Sequence, residues 1–231
     1  MNHQTTRAPH SLLKAAVANP ALWALVRELR RCLAGCDTLL DIGCGELSPL
    51  RFVRGGHRTG VDGYPPALEH ARQRGTHDAY VSGDVKCLDT LFPTQRFDAC
   101  VALDLIEHLP KEDGWRLLET MEHLATRRVI IFTPNGFIPQ HSQDGNLQEH
   151  LSGWLPAELR SRAYQVWGMH GPKAWRGEYA ALKYRPKLFW GLASLLAHCL
   201  YTRRRPEKAF SIFGCKYLDA DTPAVSRSRP V

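Results

Sequence analysis

Two carboxylates and two imidazoles are spaced as a chemical unit. Asp104, Glu107 and His108 sit together in Leu103-Asp104-Leu105-Ile106-Glu107-His108, and His150 follows further along the chain. Carboxylates and imidazoles are the side chains that move protons near neutral pH. The same set can hold a divalent metal through mixed oxygen and nitrogen donors, lowering the pKa of a bound oxygen. In a metal-free version His150 is the general base and the other three position the acceptor. The plain structural alternatives are that His108 caps or packs near the next helix and that Asp104 and Glu107 are solvated charges.

A second constellation reads as a nucleoside site. Leu39-Leu40-Asp41-Ile42-Gly43-Cys44-Gly45 is an apolar run ending in a glycine turn, expected to open a helix. Glycines there let backbone approach a ligand at the carboxyl end of a strand. Gly60-Val61-Asp62 follows, and a carboxylate in that place can accept hydrogen bonds from both hydroxyls of a ribose. Ser82-Gly83-Asp84 comes next, where an acid can accept from an adenine amino group. Singly, each aspartate could be a helix cap or a turn residue. The order of all three, one per strand, is what points to a ligand. Ser48 occupies the position at which a dinucleotide turn wants its third glycine, so the turn suits a ligand without a pyrophosphate.

Strand-like and helix-like segments alternate to position these residues. Strands are predicted over Thr38–Ile42, His57–Asp62, Asp78–Ser82, Phe97–Leu103 and Arg128–Thr133, with helices over Pro65–Arg74 and Glu112–Ala125. This alternation implies a parallel sheet covered on both faces. After Pro134 a polar loop leads to a short helix near Pro156–Arg162, then strands over Tyr164–Met169 and Ala209–Tyr217. Ahead of the sheet, Pro20 opens a helix with Leu22, Trp23, Leu25, Val26, Leu29 and Leu33 on one face. Arg27, Glu28, Arg30 and Arg31 fall opposite.

Residues 38–134 resemble class I S-adenosylmethionine (SAM) dependent methyltransferases, through LLDIGCG, GVDGYPPALEHAR, SGD and FDACVALDLIEHL in that order. The resemblance implies an α/β fold with a doubly wound, mostly parallel seven-stranded Rossmann-like sheet. It also implies SAM as cofactor. Gly43 and Gly45 would face it, Asp41 would help fix its methionyl end, Asp62 its ribose and Asp84 its adenine, with Val85 beside the ring. Leu47 stands where many members carry a third glycine, narrowing the room near the ribose. Thr133-Pro134-Asn135-Gly136-Phe137, His150-Leu151-Ser152-Gly153-Trp154 and Arg176-Gly177-Glu178-Tyr179 resemble a bacterial and archaeal group within the family. Asp104-x-x-Glu107-His108 is similar to the Glu-x-x-Glu-His pattern of metal-assisted small-RNA 2′-O- and ubiquinone-pathway O-methyltransferases, with Asp in the first place.

The expected reaction is O-methylation of a small molecule or of a glycan or lipid precursor. The alternatives are a metal-assisted RNA 2′-O-methyltransferase and a catalytically inactive SAM-fold binding protein. No aromatic and basic stacking surface for RNA is visible. The domain is expected over 36–218, after a helical extension over 1–35 and before a disordered tail over 219–231. A helical insertion lies between the last two strands, at about 171–208. Its apolar helix, Leu188–Tyr201, is shorter than the about 20 residues that cross a bilayer. It reads as a lid or dimer face. Peripheral membrane contact through residues 188–205 is the alternative, because Arg203, Arg204 and Arg205 end it. The formal charge is +7, without a long basic block. Seven cysteines without a Cys-x-x-Cys pair argue against a disulfide framework and a structural zinc site, and for a cytoplasmic location. Lys14, Asn19 and Pro20 interrupt the first apolar stretch, so no signal peptide is expected.

Overall fold

The computed structural model describes residues 20–140, 149–177 and 180–218, so residues 1–19 of the expected helical extension, Glu178, Tyr179 and the expected tail over 219–231 lie outside the described residues. The chain runs α1 (Pro20–Cys32), β1 (Thr38–Ile42), β2 (His57–Asp62), α2 (Pro65–Arg74), β3 (Ala79–Ser82), α3 (Leu88–Leu91), β4 (Phe97–Leu103), α4 (Lys111–Leu124) and β5 (Ala125–Pro134). It continues with α5 (Pro156–Ser161), β6 (Gln165–Pro172), α6 (Lys187–Leu200) and β7 (Ala209–Tyr217). The seven strands form one sheet in the order β3-β2-β1-β4-β5-β7-β6. The first five are parallel, and β7 pairs antiparallel with both β5 and β6.

Strand alternation splits the core in two. Leu40, Ile42, Cys100, Ala102, Val129 and Ile131 pack with Leu117, Leu118 and Met121 of α4. Leu39, Ala99, Val101, Ile130 and Phe132 face the other way, against Leu25, Leu29 and Leu33. Successive strand residues point to opposite faces, so both faces must be covered. Each fully buried aliphatic side chain contributes about 1.5–3 kcal/mol.

Three sequence expectations are corrected. The turn after β1 opens no full helix. Pro49–Phe52 forms one 3₁₀ turn, with Ser48 Oγ accepting from Leu50 N–H, and Gly55 and Gly56 then take positive φ. One proline and two glycines in so short a segment leave no room for a longer helix, and α1 covers the place instead, with Trp23 packed 5.2 Å from Phe52. Leu47 is 49% exposed and does not line the ligand cleft, so it narrows nothing there. The third correction is Glu28, which belongs to the buried side of α1 and is 1% exposed. None of the residues of α6 lines either cavity described below.

Glu28 accepts from Arg31 at 3.0 Å and from Arg203 at 3.2 Å, so it ties α1 to the segment after α6. Burial alone would raise its pKa, but Arg203 and Arg31 outweigh that and hold it below the ordinary glutamate value. A depressed folded pKa stabilises above the unfolded value, about 4.3, and that stability is lost as pH falls through the folded pKa. Glu28→Gln is therefore expected to cost about 1–2 kcal/mol at neutral pH, discounted because the arginines stay partly in water. Urea unfolding should show this difference shrinking as the pH drops below 4. A constant difference down to acid pH would exclude the ion pair as its source.

Candidate active site

The parallel strands bring their carboxyl ends to one edge, and residues following all five of them build a cleft of about 600 Å³. Gly43, Gly45, Asp62, Asp84 and Val85 line it. Gly43 and Gly45 both have positive φ, and a Cβ on Gly43 would sit 2.6 Å from Leu105 Cδ1. Asp62 is pre-aimed: its Oδ2 accepts from Gly45 N–H and its Oδ1 from Tyr64 N–H, each at 2.8 Å. Each carboxylate oxygen keeps a second lone pair for a ligand hydroxyl. Asp84 caps the turn after β3 by accepting from Lys86 N–H at 2.9 Å.

Asp41 does not line this cleft. It is 1% exposed, and its Oδ2 meets His77 Nε2 at 2.8 Å, while His77 Nδ1 meets Thr76 Oγ1 at 2.9 Å. The buried pair ties β1 to the segment ahead of β3.

A second, smaller pocket of about 280 Å³ adjoins the first. All four residues singled out for chemistry, Asp104, Glu107, His108 and His150, line it. Asp104 and His108 also line the larger cleft, so the two cavities share a wall. Ligand atoms of Glu107, His108 and His150 lie within 4.8 Å of one another, with Asp104 outside that group. The imidazoles are oriented alike. His108 Nδ1 meets Glu149 O at 2.9 Å and His150 Nδ1 meets Ile138 O at 2.7 Å. A carbonyl only accepts, so each Nδ1 carries the hydrogen and each Nε2 offers a lone pair.

Glu107 is 2% exposed and accepts from Thr133 Oγ1 at 2.8 Å. Burial first, and the Asp104 charge second, push its carboxyl well above the usual carboxylate range. Asp104 is exposed as a residue, yet loss of solvation at its carboxyl pushes it up to about 7. It adopts φ 49, a left-handed conformation that aspartate tolerates better than most residues and that clusters at functional sites. Burial holds His108 below the ordinary histidine range, partly offset by the Glu149 carbonyl. This donor set fits a divalent ion: two imidazole lone pairs and one carboxylate that no described lysine or arginine neutralises.

The loop carrying His150 is fixed from below. Leu151 and Ser152 N–H donate to Glu107 O at 2.8 and 3.0 Å, and Trp154 Nε1 donates to Ile106 O at 3.1 Å. Trp154 is fully buried, and Gly114 of α4 makes room for it, since a Cβ there would lie 2.4 Å from Trp154 Cζ2. Alanine normally improves a helix interior by about 1 kcal/mol over glycine. Here overpacking, about 1–3 kcal/mol, should win. Gly114→Ala is thus expected to lower Tm by several degrees, and a higher Tm in a thermal melt would refute this account of the loop.

Sequence reading missed His170, Ser211 and Thr133. His170 lines the smaller pocket, at φ 64, with Nδ1 3.2 Å from Ser211 Oγ and its ring 5.2 Å from Phe132. Burial and the Arg176 charge drive its pKa down to about 3, so the ring stays neutral. No motif marks His170 or Ser211, which the antiparallel pairing of β6 with β7 brings to the pocket, while Thr133 reaches Glu107 from the end of β5.

Residues 40–132 match the family model for a methyltransferase domain. The chain is 28% identical over 155 residues to the probable tRNA methyltransferase 9B of Mus musculus, covering 64% of this chain and 33% of that protein. It therefore spans about a third of the length of that relative. Its fold is similar to a SAM-dependent methyltransferase from Archaeoglobus fulgidus, with a TM-score of 0.55, 16% identity and coverage of 90% of this chain and 99% of that one. It is also similar to magnesium protoporphyrin IX methyltransferase from Synechocystis PCC 6803 crystallised with SAM, with a TM-score of 0.51, 15% identity and coverage of 85% and 79%. Residues 40–132 thus match a methyltransferase domain, on a seven-stranded sheet whose fold is similar to those of SAM-dependent methyltransferases, and together these support a class I SAM-dependent methyltransferase domain.

Proposed function

We propose that the protein transfers a methyl group from SAM to a hydroxyl of a small molecule or of a glycan or lipid precursor. The observation that carries this reading is the shared wall: Asp104 and His108 line both the cofactor cleft and the pocket holding Glu107 and His150. SAM supplies, when bound, an electrophilic methyl group open to in-line displacement. The chain's own residues then have to orient the acceptor, exclude water and take a proton. His150 Nε2 is the group assigned to take it, with His108 Nε2 beside it. Glu107 and neutral His170 orient the acceptor, and Pro134 and Phe210 form the apolar wall. A pocket of about 280 Å³ suits a sugar- or phenol-sized group better than a large planar one.

A metal-assisted version, acting on an RNA 2′-hydroxyl, is the second reading, and the donor set of Glu107, His108 and His150 is what favours it. Those three residues would hold the ion, whose chemistry there is Lewis acidity toward an oxygen. The cytoplasm is the proposed workplace, since the seven cysteines are free thiols; no helix among the described residues is long and apolar enough to cross a membrane.

The test is methyl transfer from labelled SAM to a panel of sugar, phenol and lipid-linked hydroxyl compounds, with RNA ending in a 2′-hydroxyl or a 2′-deoxy sugar. Label in a hydroxyl compound, but not in either RNA, is the expected result. Label only in the 2′-hydroxyl RNA would install the second reading. Tight SAM binding with no transfer to any acceptor would point to a binding protein without catalysis.

A further inference from the structure

Helix α6 is built inside out. Leu188, Leu192, Leu196 and Leu200 recur every fourth residue, so they form one stripe, and they are 78%, 55%, 62% and 76% exposed. Phe189 on the same side is 61% exposed. The residues this helix buries are Ser194 and His198, the polar ones. Ser194 Oγ sits under the helix, donating to His170 O at 3.2 Å and accepting from Arg176 at 3.1 Å. An amphipathic helix ordinarily turns its leucines to the core; this one turns them to solvent.

The surroundings of the stripe have one sign. Lys183, Arg185 and Lys187 are exposed before and at its amino end, Arg204 and Arg205 after its carboxyl end. No Asp or Glu occurs between Tyr179 and Pro206. Trp190 and Tyr184 stack at the amino end, with ring centroids 4.8 Å apart. An apolar stripe flanked at both ends by cations and carrying aromatics at its border matches an anionic lipid surface, into which a helix lies flat. A second copy of this chain fits poorly. Pairing α6 with its own copy, in either direction, sets cations beside cations, and 14 residues are a small interface.

We propose that α6 is a membrane-surface anchor that seats the protein on anionic bilayers in the plane of the interface. Membrane seating needs neither cofactor nor acceptor, so it is read separately from methyl transfer. Arg203 stays outside the test because it pairs with buried Glu28.

The experiment is flotation of the full chain with vesicles of phosphatidylcholine alone or mixed with phosphatidylglycerol, alongside light-scattering mass measurement in the absence of lipid. The wild type should float with the mixed vesicles, and less so at high salt. Arg204→Glu with Arg205→Glu should weaken binding by at least about 25-fold, taking roughly fivefold per lost cation contact. Leu192→Glu with Leu196→Glu should abolish it. Both pairs lie on the exposed surface, and circular dichroism and Tm verify their folding. Failure of the wild type to float on phosphatidylglycerol vesicles would overturn the proposal. So would a salt-resistant dimer that the leucine pair dissolves, because the stripe would then be an interface between copies.

Discussion

Glu107→Gln is expected to lower methyl transfer at least about 100-fold, while affinity for S-adenosylhomocysteine stays within about threefold and Tm does not fall. Glutamine keeps the shape of the side chain and can still accept from Thr133, whose hydroxyl lies 2.8 Å from Oε2. What it removes is the ionisable carboxyl beside the imidazoles of His108 and His150. Glu107 does not line the cofactor cleft, so cofactor affinity should be spared. Burial makes a charged carboxylate costly at this position, so the neutral amide should not destabilise the fold. His150→Ala should match it in activity, because it removes the assigned proton acceptor outright. Full activity in Glu107→Gln would remove the cluster from the mechanism. Chelation divides the two versions: activity lost to chelator and restored by a divalent ion supports ligation by Glu107, His108 and His150, and activity that survives metal-free dialysis supports His150 as a general base.

Asp62→Ala should weaken binding of S-adenosylhomocysteine at least tenfold, and by as much as about a thousandfold, in a calorimetric titration. Charge-assisted hydrogen bonds contribute about 1.5–3 kcal/mol each, and two ribose hydroxyls would lose their acceptor. The substitution also strips the N–H groups of Gly45 and Tyr64 of their partner, so the glycine turn loses its aim as well. Asp84→Ala should cost less, because Asp84 is exposed and its backbone partner at Lys86 can turn to water. Unchanged affinity in Asp62→Ala would remove the ribose from this carboxylate.

The cofactor side was legible because parallel strands with returning helices bring their carboxyl ends to one edge whatever else they do. Gly43, Asp62 and Asp84 each lie at or just past the end of a strand, so position along the chain was enough to gather them. The convergence of His150 with Asp104, Glu107 and His108 was legible for the same reason, from β4 and β5. Pairings across long sequence distances were not. Asp41 was assigned to the methionyl end by resemblance alone, and its contact with His77, 36 residues away, has no motif of its own. Glu28 was assigned to the solvent face because periodicity weighs residue types, and the arginine that admits it to the interior comes 175 residues later. His170 needs both the antiparallel pairing of β6 with β7 and a left-handed backbone to reach the pocket.

The wall between the two cavities has a thermodynamic consequence. Asp104 and His108 belong to both, so any rearrangement of either side chain that favours one occupant changes the free energy of the other. Linkage then requires reciprocity: whatever factor the nucleoside contributes to acceptor affinity, the acceptor returns to nucleoside affinity. An acceptor search on the empty protein therefore samples a differently shaped receptor from the one that turns over. Ligands ranked with S-adenosylhomocysteine in place should come out in a different order from ligands ranked without it.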